Sequence, residues 1–242
     1  MTVSSVDLRT RPWDCRVATD LVRVGEVAAA VDRYGERYLR RVYTDHELQT
    51  CATVPGETAD AGPNVGLAAR FAAKAATLKV LARSGVRPEL RAVEVLHHPE
   101  GAFVVSLTGD AAAAAAAMGI GRISVSLSHA GGTASAVAVA LCDEPRTEGL
   151  PDAAGAPVGP AVPRNEPDPV RAVIDDHAGL VVAADDLGEH DDLVAAGLTA
   201  HGSVSLLLGL EERFGLRLPA SMSQPAILRT VAAIRVAVHA AR

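Results

Sequence analysis

Aromatic side chains are almost missing. One Trp, three Tyr and three Phe make up 3% of 242 residues, so a core must be built from Ala, Val and Leu. Lysine is rarer still: only Lys74 and Lys79, with arginine at the other basic positions. The three cysteines, Cys15, Cys51 and Cys142, are an odd number without metal-like spacing, which fits free thiols in a reducing, cytoplasmic setting. The longest apolar run, Ala111 to Ile120, is broken by Gly119 and is too short to span a bilayer. No basic start followed by an apolar block marks a secretory signal. A basic excess is lacking too. The net charge is −6, with seventeen acids against sixteen bases in residues 1–150 and twelve against seven in residues 151–242. That balance argues against nucleic acid as a partner, and the acidic last third suits a basic protein surface.

What is present divides the chain in three. Residues 1–15 read as a loose arm. Val17 to Val24 alternates as a strand carrying Asp20, and Glu26 to Val42 has helical spacing. Thr44 and Glu47 have the spacing of a capping box. Residues 53–63 read as a loop. A helix from about Asn64 to Arg83, stopped by Gly85, carries both lysines and buries Leu67, Phe71, Ala75 and Leu78. Arg91–His97 and Ala102–Thr108 form a hairpin, and Ala111–Ala117 is a helix by propensity. Arg122–His129 alternates strictly, and Gly131-Gly132 turns it into a partner strand, Ala134–Leu141. This half is an α+β domain with a mostly antiparallel sheet. Between Asp143 and Pro169 lie seven of the fourteen prolines, a semi-stiff linker.

The last 75 residues or so read as an all-α bundle. Asp168 caps a helix that has Pro169 at its first position and an apolar face of Val170, Val173, Ile174, Leu180 and Val181. A second helix runs from His201 to Phe214 with Val204, Leu207, Leu208 and Phe214 inward. A third runs from about Ala226 to Ala240.

Residues 17–142 resemble the small holo-acyl-carrier-protein synthases, the trimeric type of 4′-phosphopantetheinyl transferase. Four segments carry the resemblance in order over about 125 residues. They are Thr19-Asp20-Leu21-Val22, Asp32 through Leu48, Ala69-Arg70-Phe71-Ala72-Ala73-Lys74, and Ser126-Leu127-Ser128-His129. Residues 169–242 resemble an acyl carrier protein through Gly197-Leu198-Thr199-Ala200-His201-Gly202-Ser203-Val204. The division implied is 16–143 transferase, 144–168 linker and 169–242 carrier, a four-helix bundle. The implied reaction moves 4′-phosphopantetheine from coenzyme A to a carrier serine with Mg2+, in a cytoplasmic homotrimer without membrane or nucleic acid. Its chemistry needs cationic groups against the pyrophosphate and oxygen ligands for the metal.

The resemblance implies that Asp20 is a metal ligand, and that Lys79 and Arg70 face the pyrophosphate, with Lys74 beside them. Ser128 and His129 match the coenzyme A strand; as sequence neighbours they point to opposite faces and are no nucleophile–base pair. Two positions depart from the family. Ala75 stands where it has a second metal-ligand glutamate important to catalysis, and Ala200 where it has the serine that takes phosphopantetheine. Deliberate substitution would leave this pattern, and so would natural loss, which would make the chain a non-catalytic carrier-binding scaffold. Glu26 stands where the family has a carrier-touching arginine. Asp191, Asp192, Glu211 and Glu212 are expected to meet arginines of the transferase, with Arg16, Arg23 and Arg70 as candidates.

Overall fold

The computed structural model describes residues 15–53, 63–97, 103–142, 168–219, 222 and 228–241. The expected arm, the 53–63 loop, the hairpin turn at Pro99–Gly101 and the proline-rich linker lie almost wholly outside these residues.

Five antiparallel strands form one sheet in the order β1-β5-β4-β3-β2. They are β1 (Cys15–Arg23), β2 (Val93–His97), β3 (Phe103–Leu107), β4 (Ile120–Ala130) and β5 (Thr133–Cys142). β4 and β5 are joined by Gly131 and Gly132, both at positive φ, where residues with a Cβ are disfavoured. Along β1 the even residues turn inward, so Asp20 and Val22 are buried while Val17 and Leu21 stay exposed. The inward face is covered by α4 (Pro63–Leu81), which packs on β1, β5 and β4. Every residue from 66 to 78 of α4 is buried, as expected of a helix that is apolar nearly all round. A 3-10 turn and Gly85, in the left-handed region, end it.

The helix expected over Glu26–Val42 is two: α1 (Val24–Tyr34) and α2 (Glu36–Val42). Gly35 lies at φ +52 between them, a conformation that breaks the helical ladder. α3 (Asp45–Thr53) starts with the capping box, Thr44 N donating to Glu47 Oε2 at 2.8 Å and Glu47 N to Thr44 Oγ1 at 3.2 Å. α5 (Gly109–Ala117) is the alanine helix.

The C-terminal part holds three α-helices among the described residues: α6 (Pro169–His177), α7 (Ala200–Phe214) and α8 (Val231–Ala240), with a 3-10 turn at Ala184–Asp186. Asp168 caps α6 at Val170 N. Leu180 and Val181 lie beyond the end of α6 at His177; Leu180 still packs on the core of Val170, Val173 and Ile174, whereas Val181 is 88% exposed. The described part of the third helix starts at Val231, where the Thr230 hydroxyl caps it by accepting from Ala233 N, and the expected start near Ala226 lies outside the described residues. Buried Arg171 ties the α6 side together. It meets Asp168, Glu189 and the carbonyls of Ala184 and Leu187.

Two apolar cores result, and α7 enters both. Leu206, Leu207 and Leu210 pack with Ile174, Leu193, Leu228 and Ile234. Val204 and Leu208 pack instead into the core of α4 and the sheet, with Ala200 against its edge. Helical spacing alone turns Val204 and Leu208 toward the bundle; their partners are on the far part of the chain.

Candidate active site and its relatives

Asp20 lies on the helix side of β1, and Lys79 on α4 reaches over it. Lys79 Nζ donates to Asp20 Oδ1 at 2.5 Å and to the Thr19 carbonyl at 2.9 Å. Burial raises the Asp20 carboxyl above its ordinary range, and the Lys79 ammonium pulls against that rise. Ala75 sits one helical turn before Lys79, on the same face, and is buried. A methyl there gives no oxygen to a cation.

The remaining residues divide sharply. Register runs Asp20–Ala136–Leu127 across three strands, and the next inward row is Val22–Ala134–His129. His129 therefore shares Asp20's face and is exposed at the end of β4, while Ser128 is exposed on the opposite face, as the alternation predicts. Lys74 has no exposed side-chain surface. It pairs with Glu47 at 2.6 Å and donates to the carbonyls of Leu90 and Val93. Glu47 also accepts from Val95 N, so this ion pair fastens α3, α4 and β2 to one another. Burial lowers the Lys74 pKa, and Glu47 holds it up. Arg70 is 1% exposed; its Nη1 donates to Gly66 O and its Nε has no hydrogen-bond partner among the described residues. The geometry thus brings Asp20, Lys79, Ala75 and His129 to one face, and sets Lys74 and Arg70 in the interior.

Mg2+ needs oxygen ligands in near-octahedral order at ~2.0–2.1 Å. Here the Asp20 carboxylate is engaged by an ammonium and position 75 is methyl. Among the described residues no three of His, Cys, Asp and Glu converge to hold a metal. The donor set does not fit that ion.

A second set of residues was legible only in part: the sequence points to Glu211 and Glu212 but not to the arginines, the tyrosines or the histidines they sit among. The start and flank of α7 sit on α1 and α2. Glu211, with no exposed side-chain surface, pairs with Arg37 at 3.0 Å and Arg41 at 2.6 Å. Arg41 also donates to Leu218 O. Glu212 lies 3.5 Å from Arg33, with both side chains half exposed. Tyr34 Oη and His177 Nδ1 share a hydrogen bond of 2.8 Å, and burial pushes the tyrosine up to about 12. The His201 ring stands edge-on to Tyr38 and Phe71, with centroids 5.8 and 5.4 Å away. Burial lowers its pKa to about 4, so it is neutral near pH 7 although Glu26 is 4.0 Å distant. Acid does meet arginine across this junction, and the pairs among the described residues are made by Arg33, Arg37 and Arg41 in place of the expected Arg23 and Arg70. Asp192 turns to Arg229 of its own part. Three arginines on consecutive turns of α1 and α2 were the available signal.

A family model of the 4′-phosphopantetheinyl transferase superfamily matches residues 16–140, just over half of the chain. The chain belongs to this superfamily. A holo-[acyl-carrier-protein] synthase of Dehalococcoides mccartyi is 39% identical over 93 residues, 38% of this chain and 70% of that protein. One from Paramagnetospirillum magneticum is 34% identical over 97 residues, 40% and 70% of the two chains. The crystal structure of holo-[acyl-carrier-protein] synthase from Neisseria meningitidis aligns at 26% identity and a TM-score of 0.45, covering 51% of this chain and 95% of that one. By family, then, the N-terminal part is a transferase of the holo-acyl-carrier-protein synthase type. The family match ends before α6, α7 and α8.

Proposed function

We propose that this chain descends from a transferase that moves 4′-phosphopantetheine from coenzyme A to a carrier serine, and that residues 169–242 are a carrier held in cis. The division is 16–143 transferase, 144–168 linker, 169–242 carrier. Coenzyme A would meet the face that carries Lys79 and His129 beside Asp20. One observation carries the reading. Position 200 begins a helix that is seated on the transferase through the buried Glu211 carboxylate, which pairs with the partly exposed Arg37 and Arg41. A carrier's attachment residue has to be presented in this way if the phosphopantetheine is to reach it. With alanine at 75 and 200, the chain as it stands holds the two partners without joining them. The test is to restore Ala75→Glu and Ala200→Ser, add coenzyme A and magnesium, and read the intact mass. A gain of one phosphopantetheine on the chain or on an added carrier supports the reading, and an unchanged mass rejects it.

A second reading is a non-catalytic scaffold that only holds carriers. It is favoured by the methyl at position 200, which lies half-buried at the edge of the transferase core. In that case separate carriers bind the full chain, and the restored one gains no mass. Assembly as a homotrimer in the cytoplasm belongs to the same proposal. It is supported by the open face of the sheet, where Val17 is 61% and Leu21 64% exposed beside Val137 and Leu141.

A further inference from the structure

We propose that the Lys79 ammonium is the resident cation of this site, so that the chain binds a nucleotide phosphate ligand without a divalent metal. The proposal rests on the reading above that the ligand is coenzyme A or its 3′,5′-ADP part. Three observations converge. Lys79 Nζ is bound on its protein side by Asp20 Oδ1 at 2.5 Å and Thr19 O at 2.9 Å. An ammonium has three donors, so one remains for a phosphate oxygen. The Lys79 side chain is 51% exposed and that of Asp20 9%, so the lysine faces solvent and the carboxylate lies beneath it. Position 75, on the same face of α4, carries no second carboxylate. A metal ion at Asp20 would have to displace the ammonium or endure its like charge a few ångströms away.

Asp20 on this account is a positioning residue. It fixes a compact, strongly hydrated point charge where a phosphate can reach it. This chain keeps lysine at only two positions. One is locked in the interior by Glu47, and the other is the exposed cation described here.

Calorimetry of 3′,5′-ADP and of coenzyme A against the full chain, in chelator and in millimolar magnesium, tests the proposal. The two conditions should give dissociation constants within about threefold of each other. Lys79→Met should weaken both ligands by roughly 10- to 100-fold in either buffer, the loss expected for one charge-assisted contact. Lys79→Arg keeps the charge and should fall between. Thermal melts of both variants check the fold, and Lys79 is exposed enough for either to remain folded. Ala75→Glu should make binding respond to magnesium. Magnesium that tightens binding to the unmodified chain by tenfold or more overturns the proposal, and so does Lys79→Met binding as well as the parent. Either outcome leaves the coenzyme A reading standing. Absence of binding of both ligands in every buffer overturns that reading as well, so the two failures are distinct.

Discussion

At the scale of single residues, the junction between the two parts turns on Glu211. Its carboxylate is out of solvent and accepts from Arg37, Arg41 and Leu218 N. Removing the carboxylate strands the buried Leu218 amide and leaves two partly exposed arginines without their acid, so Glu211→Ala should cost about 1–3 kcal/mol in urea unfolding. Glu212→Ala, which breaks a half-exposed contact with Arg33, should change stability by no more than about 1 kcal/mol. Salt should weaken the second contact and barely touch the first. His201 supplies a pH test. Its folded pKa of about 4 lies below the ordinary 6.5, so in that window the unfolded chain takes a proton that the folded chain refuses. Stability is therefore complete above pH 6.5 and falls as pH drops toward 4, by about 3 kcal/mol in all. The raised carboxyl of Asp20 acts in the opposite sense, so the difference between the parent and His201→Phe isolates the histidine. The variant should lose that acid-side decline in chemical unfolding followed against pH.

At the scale of elements, two glycines set how closely α6 and α7 approach. A Cβ on Gly202 would lie 2.4 Å from the Ala178 carbonyl oxygen, which is backbone, and one on Gly209 would lie 2.4 Å from the His177 ring. Gly202→Ala should cost about 1–3 kcal/mol, as overpacking does. Gly209→Ala should also shift the ring that hydrogen-bonds Tyr34, so its effect should show in tyrosine absorbance as well as in the melting temperature. Elements whose rules are local were legible in the sequence. The alternation of β4, the Thr44–Glu47 capping box and the Asp168 cap depend on neighbours within a few residues, and each stands where it was read. The break at Gly35 was not, since an isolated glycine inside a helical pattern is tolerated and does not by itself mark an end. The site divides in the same way. Asp20, Lys79 and His129 share a face because strand parity and helix spacing put them there. The burial of Lys74 and Arg70, and the arginines that meet Glu211, depend on contacts across long stretches of sequence that no period encodes.

At the scale of the whole molecule, the sheet has one face under α4 and one open. Val17, Leu21, Val137 and Leu141 lie on the open face, and in the proposed trimer they are covered by other copies. Leu21→Glu should then reduce the mass measured by light scattering to that of one chain while leaving the circular dichroism spectrum unchanged. The parent chain running at that same mass would reject the assembly. α7 has a consequence for where the molecule is rigid. Its residues 201–211 are all buried, and its side chains serve two cores at once. An amide in α6 or α5 can be reached by loosening one core, but an amide at the centre of α7 is released only when both let go. In hydrogen–deuterium exchange, residues 204–210 should be the last to take up deuterium, at rates set by global opening. The slowest clock in the protein would then sit at the helix that begins with position 200, not in the middle of the sheet.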